Sequence, residues 1–289
     1  MSQHQIFDSA QEAIEHITSS FSEVLEKYKG KRCALLYDDD PDGVCSGALL
    51  HHILKAYGIQ VKERIYFSEE PAPFSEEFVR RLKKSEADLF ISTDFSITGF
   101  GYLDEYQMFR KEHPEIEVVI FDHHEDETDY NTPYLFNIHQ LQKEIPGSQY
   151  CCSKLLYDIG QKIVNGFDQY DWIFATGVIG DTNQKTWGEE IKATIDRINE
   201  AISASEDDKR KKIAHPESEE EYNSTPFGKA TNLIFYGIAK NIHETDKIMK
   251  RMLESNTVFE FISKMKEYEE IEEEVEDYLD NFNYFVKYG

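Results

Sequence analysis

Basic residues are scarce in this chain. Its 289 residues hold 31 Lys and Arg against 56 Asp and Glu, a formal net charge of -25. A broad groove for long nucleic acid relies on Lys and Arg neutralising phosphates, so the charge excludes one. A small local site remains open, because bound metal ions reverse the sign there. Cysteine is scarce too. Cys33, Cys45, Cys151 and Cys152 form no C-x-x-C, and the adjacent pair makes a poor disulfide. A reduced, cytoplasmic setting is therefore expected. Long apolar runs are missing. The longest candidate, "WIFATGVIG" (172–180), falls far short of the ~20 residues of a membrane span. The N-terminus has no basic stretch followed by an apolar one, so neither a secretory signal nor a membrane partner is expected.

What is present suffices for a core. The chain is 40% hydrophobic and 13% aromatic, and its length suits one large domain or two smaller ones. In the first half short apolar runs alternate with helical spacing. "RCALLY" (32–37), "QVKERIYF" (60–67), "ADLFIST" (87–93) and "EVVIFD" (117–122) read as strands. Residues 46–58, 75–85 and 101–113 read as helices. This alternation predicts an α/β fold with a parallel sheet flanked by helices. After residue 148 the strand signals fade, and 148–164, 168–182 and 189–203 look helical. The chain divides at 185, leaving a mostly helical C-terminal region, 186–289. Residues 205–222 read as an exposed charged linker or loop, or alternatively as a solvated helix face. The acidic helix expected over 256–280 has nine acidic and no basic residues in 267–280. Tyr268, Ile271, Val275, Tyr278 and Phe282 form a narrow apolar seam along it. That seam is expected to pack on its own domain, with a protein partner as the alternative.

Carboxylates gather where the strands end. "LLYDDDPDGVCSG" (35–47) places Asp38, Asp40 and Asp42 after the first strand, with Asp94 after the third and Asp122 after the fourth. In an open parallel sheet those ends face one crevice, the usual ligand site. Alternate residues of extended backbone face the same way, so Asp38, Asp40 and Asp42 are expected to converge and Asp39 to point away. Gly43 relieves crowding at the turn. His123 and His124 follow Asp122, and Asp181 ends another apolar segment. Carboxylates with imidazoles suit Mn²⁺ or Mg²⁺ better than a structural zinc. Six or more such ligands exceed the needs of one ion but fit two that share a carboxylate, the usual arrangement for hydrolysing phosphate esters. Asn137, His139 and Asn183 are candidate substrate-binding residues, and Lys154 and Lys185 candidate phosphate contacts. Ser148 is expected to cap a helix whose N-terminus faces an anion. Cys151 and Cys152 are expected to be core packing.

The ordered set "DDDPDG" (38–43), "STDFS" (92–96), "FDHHE" (121–125) and "GDTN" (180–183) resembles the four motifs of the DHH phosphoesterase superfamily. The likeness covers roughly residues 30–185. The Asp-rich first motif is more similar to the RecJ-type exonuclease branch. Other branches place a His where this chain has Leu36, whereas the RecJ branch carries an extra Asp, matched by Asp38. "FNIHQL" (136–141) resembles the family's Asn-Pro-His segment, with Ile138 in place of the proline. The resemblance implies that Asp38 and Asp40 help hold one Mn²⁺ ion and that Asp42, His123 and Asp181 hold a second. Asp94 would bridge the two. Asp122 would orient an imidazole, and His124 would contact the scissile phosphate. It implies a metal-dependent phosphodiesterase acting on single-stranded nucleic acid ends or short oligonucleotides. Hydrolysis of pyrophosphate, polyphosphate or a cyclic dinucleotide is the alternative, as is a replisome-associated scaffold. The family's Gly-Gly-Gly-His substrate-grip signature does not occur in 186–289. Either the protein lacks that domain or the sequence is a piece of a longer chain.

Overall fold

In the computed structural model, which describes residues 6–69, 71–125, 130, 132–204 and 210–271, the four apolar runs form neighbouring strands. These are β1 (Arg32–Tyr37), β2 (Gln60–Tyr66), β3 (Leu89–Thr93) and β4 (Glu117–Asp122). A short β5 (Leu135–Asn137) joins them in one parallel sheet of order β2-β1-β3-β4-β5. Successive residues serve opposite cores. Cys33, Leu35, Tyr37, Ile91, Val119 and Phe121 face one, and Ala34, Leu36, Phe90, Val118 and Ile120 the other. Because both faces are covered, the strands read as continuous apolar runs rather than alternating ones.

The first core is closed by α1 (Ala10–Lys27) and α2 (Pro41–Ala56), the second by α3 (Glu76–Ser85) and α4 (Leu103–Glu112). After the short α5 (Ile138–Leu141), α6 (Cys152–Ile163) and α7 (Asp171–Gly180) pack on α2, and α8 (Gln184–Ala204) follows. Three later helices, α9 (Pro226–Lys240), α10 (Thr245–Leu253) and α11 (Val258–Lys264), add Phe227, Leu233, Ile248, Met249 and Phe261 to the first core. Among the described residues no helix is long and apolar enough to cross a membrane.

Besides β5, which the sequence reading lacks, three elements depart from it. Helix α2 begins at Pro41 rather than 46. The Asp40 side chain caps it, accepting from the Gly43 N–H at 2.7 Å, and Pro41 takes the first helical position, where no N–H is needed. Helix α1, whose Ile14, Ile17, Phe21, Val24 and Leu25 form a buried stripe, is an element the sequence reading lacks. The helix expected over 256–280 is interrupted. Helix α11 starts after Thr257 and stops where Met265 leaves helical geometry (φ -102°, ψ 7°). Met265 and Tyr268 turn into the core, and the Tyr268 hydroxyl donates to Glu244 at 2.6 Å. Val275, Tyr278 and Phe282 of the expected seam lie outside the described residues. In the charged segment after α8, residues 210–216 have neither helix nor strand. Asn199 ties that stretch to α8 by bonding the Ile213 N–H (2.8 Å) and C=O (2.9 Å).

Helix α2 carries a buried titratable group. His52 stacks on Tyr170 with ring centroids 3.8 Å apart, and neither ring nitrogen has a hydrogen-bond partner. Burial, and then the neighbouring His51, depress its pKa from 6.5 to about 3. The unfolded chain therefore binds a proton that the folded one refuses, and stability present above pH 6.5 is lost as pH falls toward 3. His52→Phe keeps the ring stack and removes the proton site. At pH ~4.5 thermal unfolding should show the variant gaining about 2 kcal/mol on the wild type relative to pH ~7. Identical acid slopes for the two proteins contradict this.

Candidate metal centre

From β1 the chain crosses to β2 on one side, then returns to β3 on the other. The carboxyl ends of β1 and β3 therefore flank the crevice where the strand order reverses. Asp38 follows β1 and Asp94 follows β3, while β4 ends at Asp122 with His123 and His124 beyond it. Asp181 comes from the C-terminal end of α7.

Asp38, Asp40 and Asp42 do converge, but not through strand alternation. Only Asp38 follows extended strand. Asp40 caps α2, and Asp42 lies in its first helical turn. Asp39 points away, accepting from the Ser68 N–H at 3.2 Å. A Cβ on Gly43 would sit 2.4 Å from the Asp38 carbonyl oxygen, so only glycine lets α2 tuck beneath that turn. The buried Asp42 carboxylate accepts from the N–H groups of Cys152 (2.8 Å) and Ser153 (3.0 Å) and from the Ser153 hydroxyl. The N-terminus of α6 thus takes an anion, though not one from a substrate. Its cap is Cys151 rather than Ser148, and the anion is this chain's own Asp42.

Asp94 holds a left-handed backbone (φ 59°), and its N–H donates to the Phe121 carbonyl at 3.0 Å. Its Oδ1 is buried and accepts no hydrogen bond. His123 Nε2 lies 3.2 Å from that oxygen, while His123 Nδ1 lies 3.0 Å from the Gly147 carbonyl. A proton on Nδ1, donated to Gly147, leaves the Nε2 lone pair facing a carboxylate. Two acceptors so placed need a cation or a proton between them. Asp122 accepts from the N–H groups of His123 (2.9 Å) and His124 (3.3 Å) and lies 2.7 Å from His124 Nδ1. It therefore orients an imidazole, that of His124, whose side chain remains 39% exposed.

The other candidates take different roles. Asn137 is fully buried. Its Oδ1 caps α5, and its Nδ2 donates to Asp122 Oδ2 (3.3 Å) and the His124 carbonyl (3.0 Å), so it holds the loop and has no donor left for a substrate. Asn183 donates its Nδ2 to the carbonyl (2.7 Å) and carboxylate of Asp181 and so fixes that side chain. His139 lies across the Gly147 backbone from His123. It lines a separate cavity of about 370 Å³ with Ile6, Gln142 and Lys143. Lys154 is buried, paired with Asp158 (2.5 Å) and Glu190 (3.1 Å) and set over the Trp187 ring, away from any phosphate role. Lys185 stays exposed at the start of α8. Cys152, expected as core packing, is indeed buried. Its sulfur also belongs to a group in which one donor atom each of Asp42, Asp94 and Cys152 lie within 4.8 Å of one another. Only its place at the start of an apolar helix hinted at this.

The electrostatics follow from the crowding. Burial, then the Asp40 charge, push Asp38 up to about 8. Burial, then Asp42, push Asp181 up to about 7. Asp40 is exposed at the start of α2, yet the packing around its carboxylate and then the Asp42 charge raise it. Asp94 is raised well above the carboxylate range by burial and then by Asp42, Asp40 and Asp38. Burial works to lower His123, but the charges of Asp181, Asp42 and Asp122 outweigh it and the net shift is upward. An orphaned buried carboxylate oxygen, an imidazole lone pair and a shell of oxygen donors fit hard divalent ions such as Mn²⁺ or Mg²⁺.

A model of the DHH family, N-terminal domain, matches residues 33–179. Among solved structures the chain is similar to an exonuclease RecJ bound to manganese. The TM-score is 0.57 at 18% identity, covering 92% of this chain and 68% of that one. It is also similar to RecJ in complex with Mn²⁺ from Thermus thermophilus, with TM-score 0.54, 19% identity and coverage of 92% and 39%. A DHH domain described as a member of the s1p family of ribosomal proteins gives TM-score 0.61, 14% identity and coverage of 93% and 64%. At these identities the likeness shows the fold, and this chain spans between 39% and 68% of those chains. No curated protein matches the sequence.

Raised carboxylates make the metal-free fold pH-sensitive. With Asp38 at about 8 and Asp181 at about 7, the folded state holds protons that the unfolded state releases above pH ~4. The contribution of these two carboxyls to stability therefore falls as pH rises from ~4 toward ~8. A divalent ion takes the place of those protons. Adding Mn²⁺ should raise the melting temperature more at pH ~8 than at pH ~6, and chelation should reverse the gain. Asp94→Asn, which tolerates the left-handed backbone, should keep the far-UV spectrum and lose most of the Mn²⁺ shift. Equal shifts at both pH values, or none, contradict the assignment.

Proposed function

Since this chain belongs to the DHH family, a family of metal-dependent phosphoesterases, we propose that it is a two-metal phosphodiesterase acting on single-stranded nucleic acid ends or short oligonucleotides. What supports the reading is the grouping of donor atoms around Asp94: those of Asp94, His123 and His124 lie within 4.8 Å of one another, as do those of Asp42, Asp94 and Cys152, and the charges of Asp38, Asp40 and Asp181 all act on Asp94. We assign Asp38 and Asp40 to one ion and Asp42, His123 and Asp181 to the other, with Asp94 shared. Mn²⁺ is the ion of choice, as in the two RecJ structures. Ions held there supply Lewis acidity to a phosphoryl oxygen and lower the pKa of a water.

The chain's own residues do the rest. Gly147 and Asp122 hold His123 and His124 in fixed orientations. Burial lowers the pKa of His124, but its bond to Asp122 outweighs this, and the net rise favours the imidazolium nearer neutrality. In that form His124 steadies the phosphate and hands a proton to the departing alcohol. Asn183 keeps Asp181 turned into the crevice. With a net charge of -25, the affinity for long polyanions is low and short substrates are preferred. Four buried free cysteines support a reducing, cytoplasmic setting.

The test is a panel of labelled single-stranded DNA and RNA, dinucleotides, a cyclic dinucleotide and pyrophosphate, each with Mn²⁺. Release of mononucleotides from short single strands is expected. His124→Ala should lower kcat by about 10²–10⁴ with Mn²⁺ binding intact. Turnover of pyrophosphate or the cyclic dinucleotide alone would replace the substrate class. Cleavage of none, with Mn²⁺ demonstrably bound, would indicate a scaffold.

A further inference from the structure

The carboxyl ends of β2 and β3 carry aromatic rings as well as carboxylates. Phe67 directly follows β2. Its N–H donates to the carbonyl of Tyr37 at 3.0 Å, just before Asp38, and the next residue, Ser68, bonds Asp39. Phe95 directly follows Asp94. The rings of Phe67 and Phe100 stack with centroids 4.2 Å apart and planes inclined by 29°. Phe95 lies 5.4 Å from Phe100 at 18°. Tyr102 meets Phe67 edge-on at 6.1 Å.

Phe95 is buried, but Phe100 remains 40% exposed. The turn that presents it is tightly bonded. The Phe100 N–H donates to Ser96 O (3.0 Å), the Gly101 N–H to Thr98 O (3.0 Å) and the Tyr102 N–H to Ile97 O (2.8 Å). The Gly99 N–H donates to Ser96 Oγ at 3.0 Å. Phe95 lies within the core, whereas Phe100 stacks on Phe67 and Phe95 and still presents part of its ring to solvent. The backbone beneath this wall adjoins both Asp-bearing loops, Phe67 and Ser68 bonding Tyr37 and Asp39 and Phe95 following Asp94.

We propose that Phe100, backed by Phe67 and Phe95, is a stacking platform for the nucleobase of a substrate whose phosphate lies in that crevice. The proposal rests on the phosphodiesterase reading and deepens it by naming the residue that selects substrates bearing a base. Every nucleobase has a π-face, so the platform is tolerant of sequence and contributes roughly tenfold or more in affinity. It also lets an acidic chain hold a nucleotide without Lys or Arg, and it offers nothing to pyrophosphate or polyphosphate, which carry no ring.

Calorimetry on the Mn²⁺-loaded chain tests it, with adenosine 5′-monophosphate and ribose 5-phosphate as probes. The wild type should bind the nucleotide about tenfold more tightly than the sugar phosphate. Phe100→Ala should bring that ratio near one without changing the sugar-phosphate affinity, and Phe100→Trp should restore it. If both probes bind with a ratio that Phe100→Ala leaves unmoved, the platform is wrong and the hydrolase reading stands. If neither probe binds while Mn²⁺ does, both fall. If Phe100→Ala alters only sedimentation, the ring serves self-association instead, and the proposal is overturned.

Discussion

Like charges forced into one low-dielectric crevice are the constraint around which this fold is arranged. The first charge that Asp38, Asp40, Asp94 and Asp181 each meet is another carboxylate. The protein steadies these groups from behind. The N-terminus of α6 grips Asp42, Asn183 grips Asp181, and the backbone of β4 fixes Asp94 in a left-handed turn. None of that cancels the charge facing inward. In the function proposed here divalent cations do so, at positions where a phosphate could then enter.

The same constraint explains how an acidic protein handles an anionic substrate. Metal reverses the sign only inside the crevice, so the outer surface can stay negative. The stacking platform proposed at Phe100 would supply affinity that does not depend on basic residues. His51, half-buried, and His52, buried, belong to the scaffold of α2 instead. They are kept neutral by burial, and their cost appears only in acid.

The sheet was legible because its interior strands are buried on both faces, so β1 and β4 stand out as apolar runs with the bounds the sequence suggested. The clustering of carboxylates was legible because strand ends and chain order fix where they go. Less legible was how they get there. Asp40 and Asp42 reach the crevice from a helix start, a change of geometry that D-x-D spacing does not reveal. Asn137 and Asn183 sit beside the motifs in sequence, yet point back to brace Asp122 and Asp181, because a buried carboxylate needs donors before a substrate does. Cys152 and Gly147 reach the centre from a segment far along the chain, and only tertiary packing brings them there.

The central claim is that paired divalent cations compensate this cluster. Electron paramagnetic resonance during a Mn²⁺ titration tests it most directly. Two ions sharing Asp94, ~3.5–4 Å apart, should give an exchange-coupled signal that saturates at two Mn²⁺ per chain and is lost in Asp94→Asn. Saturation at one ion, with only the hyperfine pattern of isolated Mn²⁺, would contradict it.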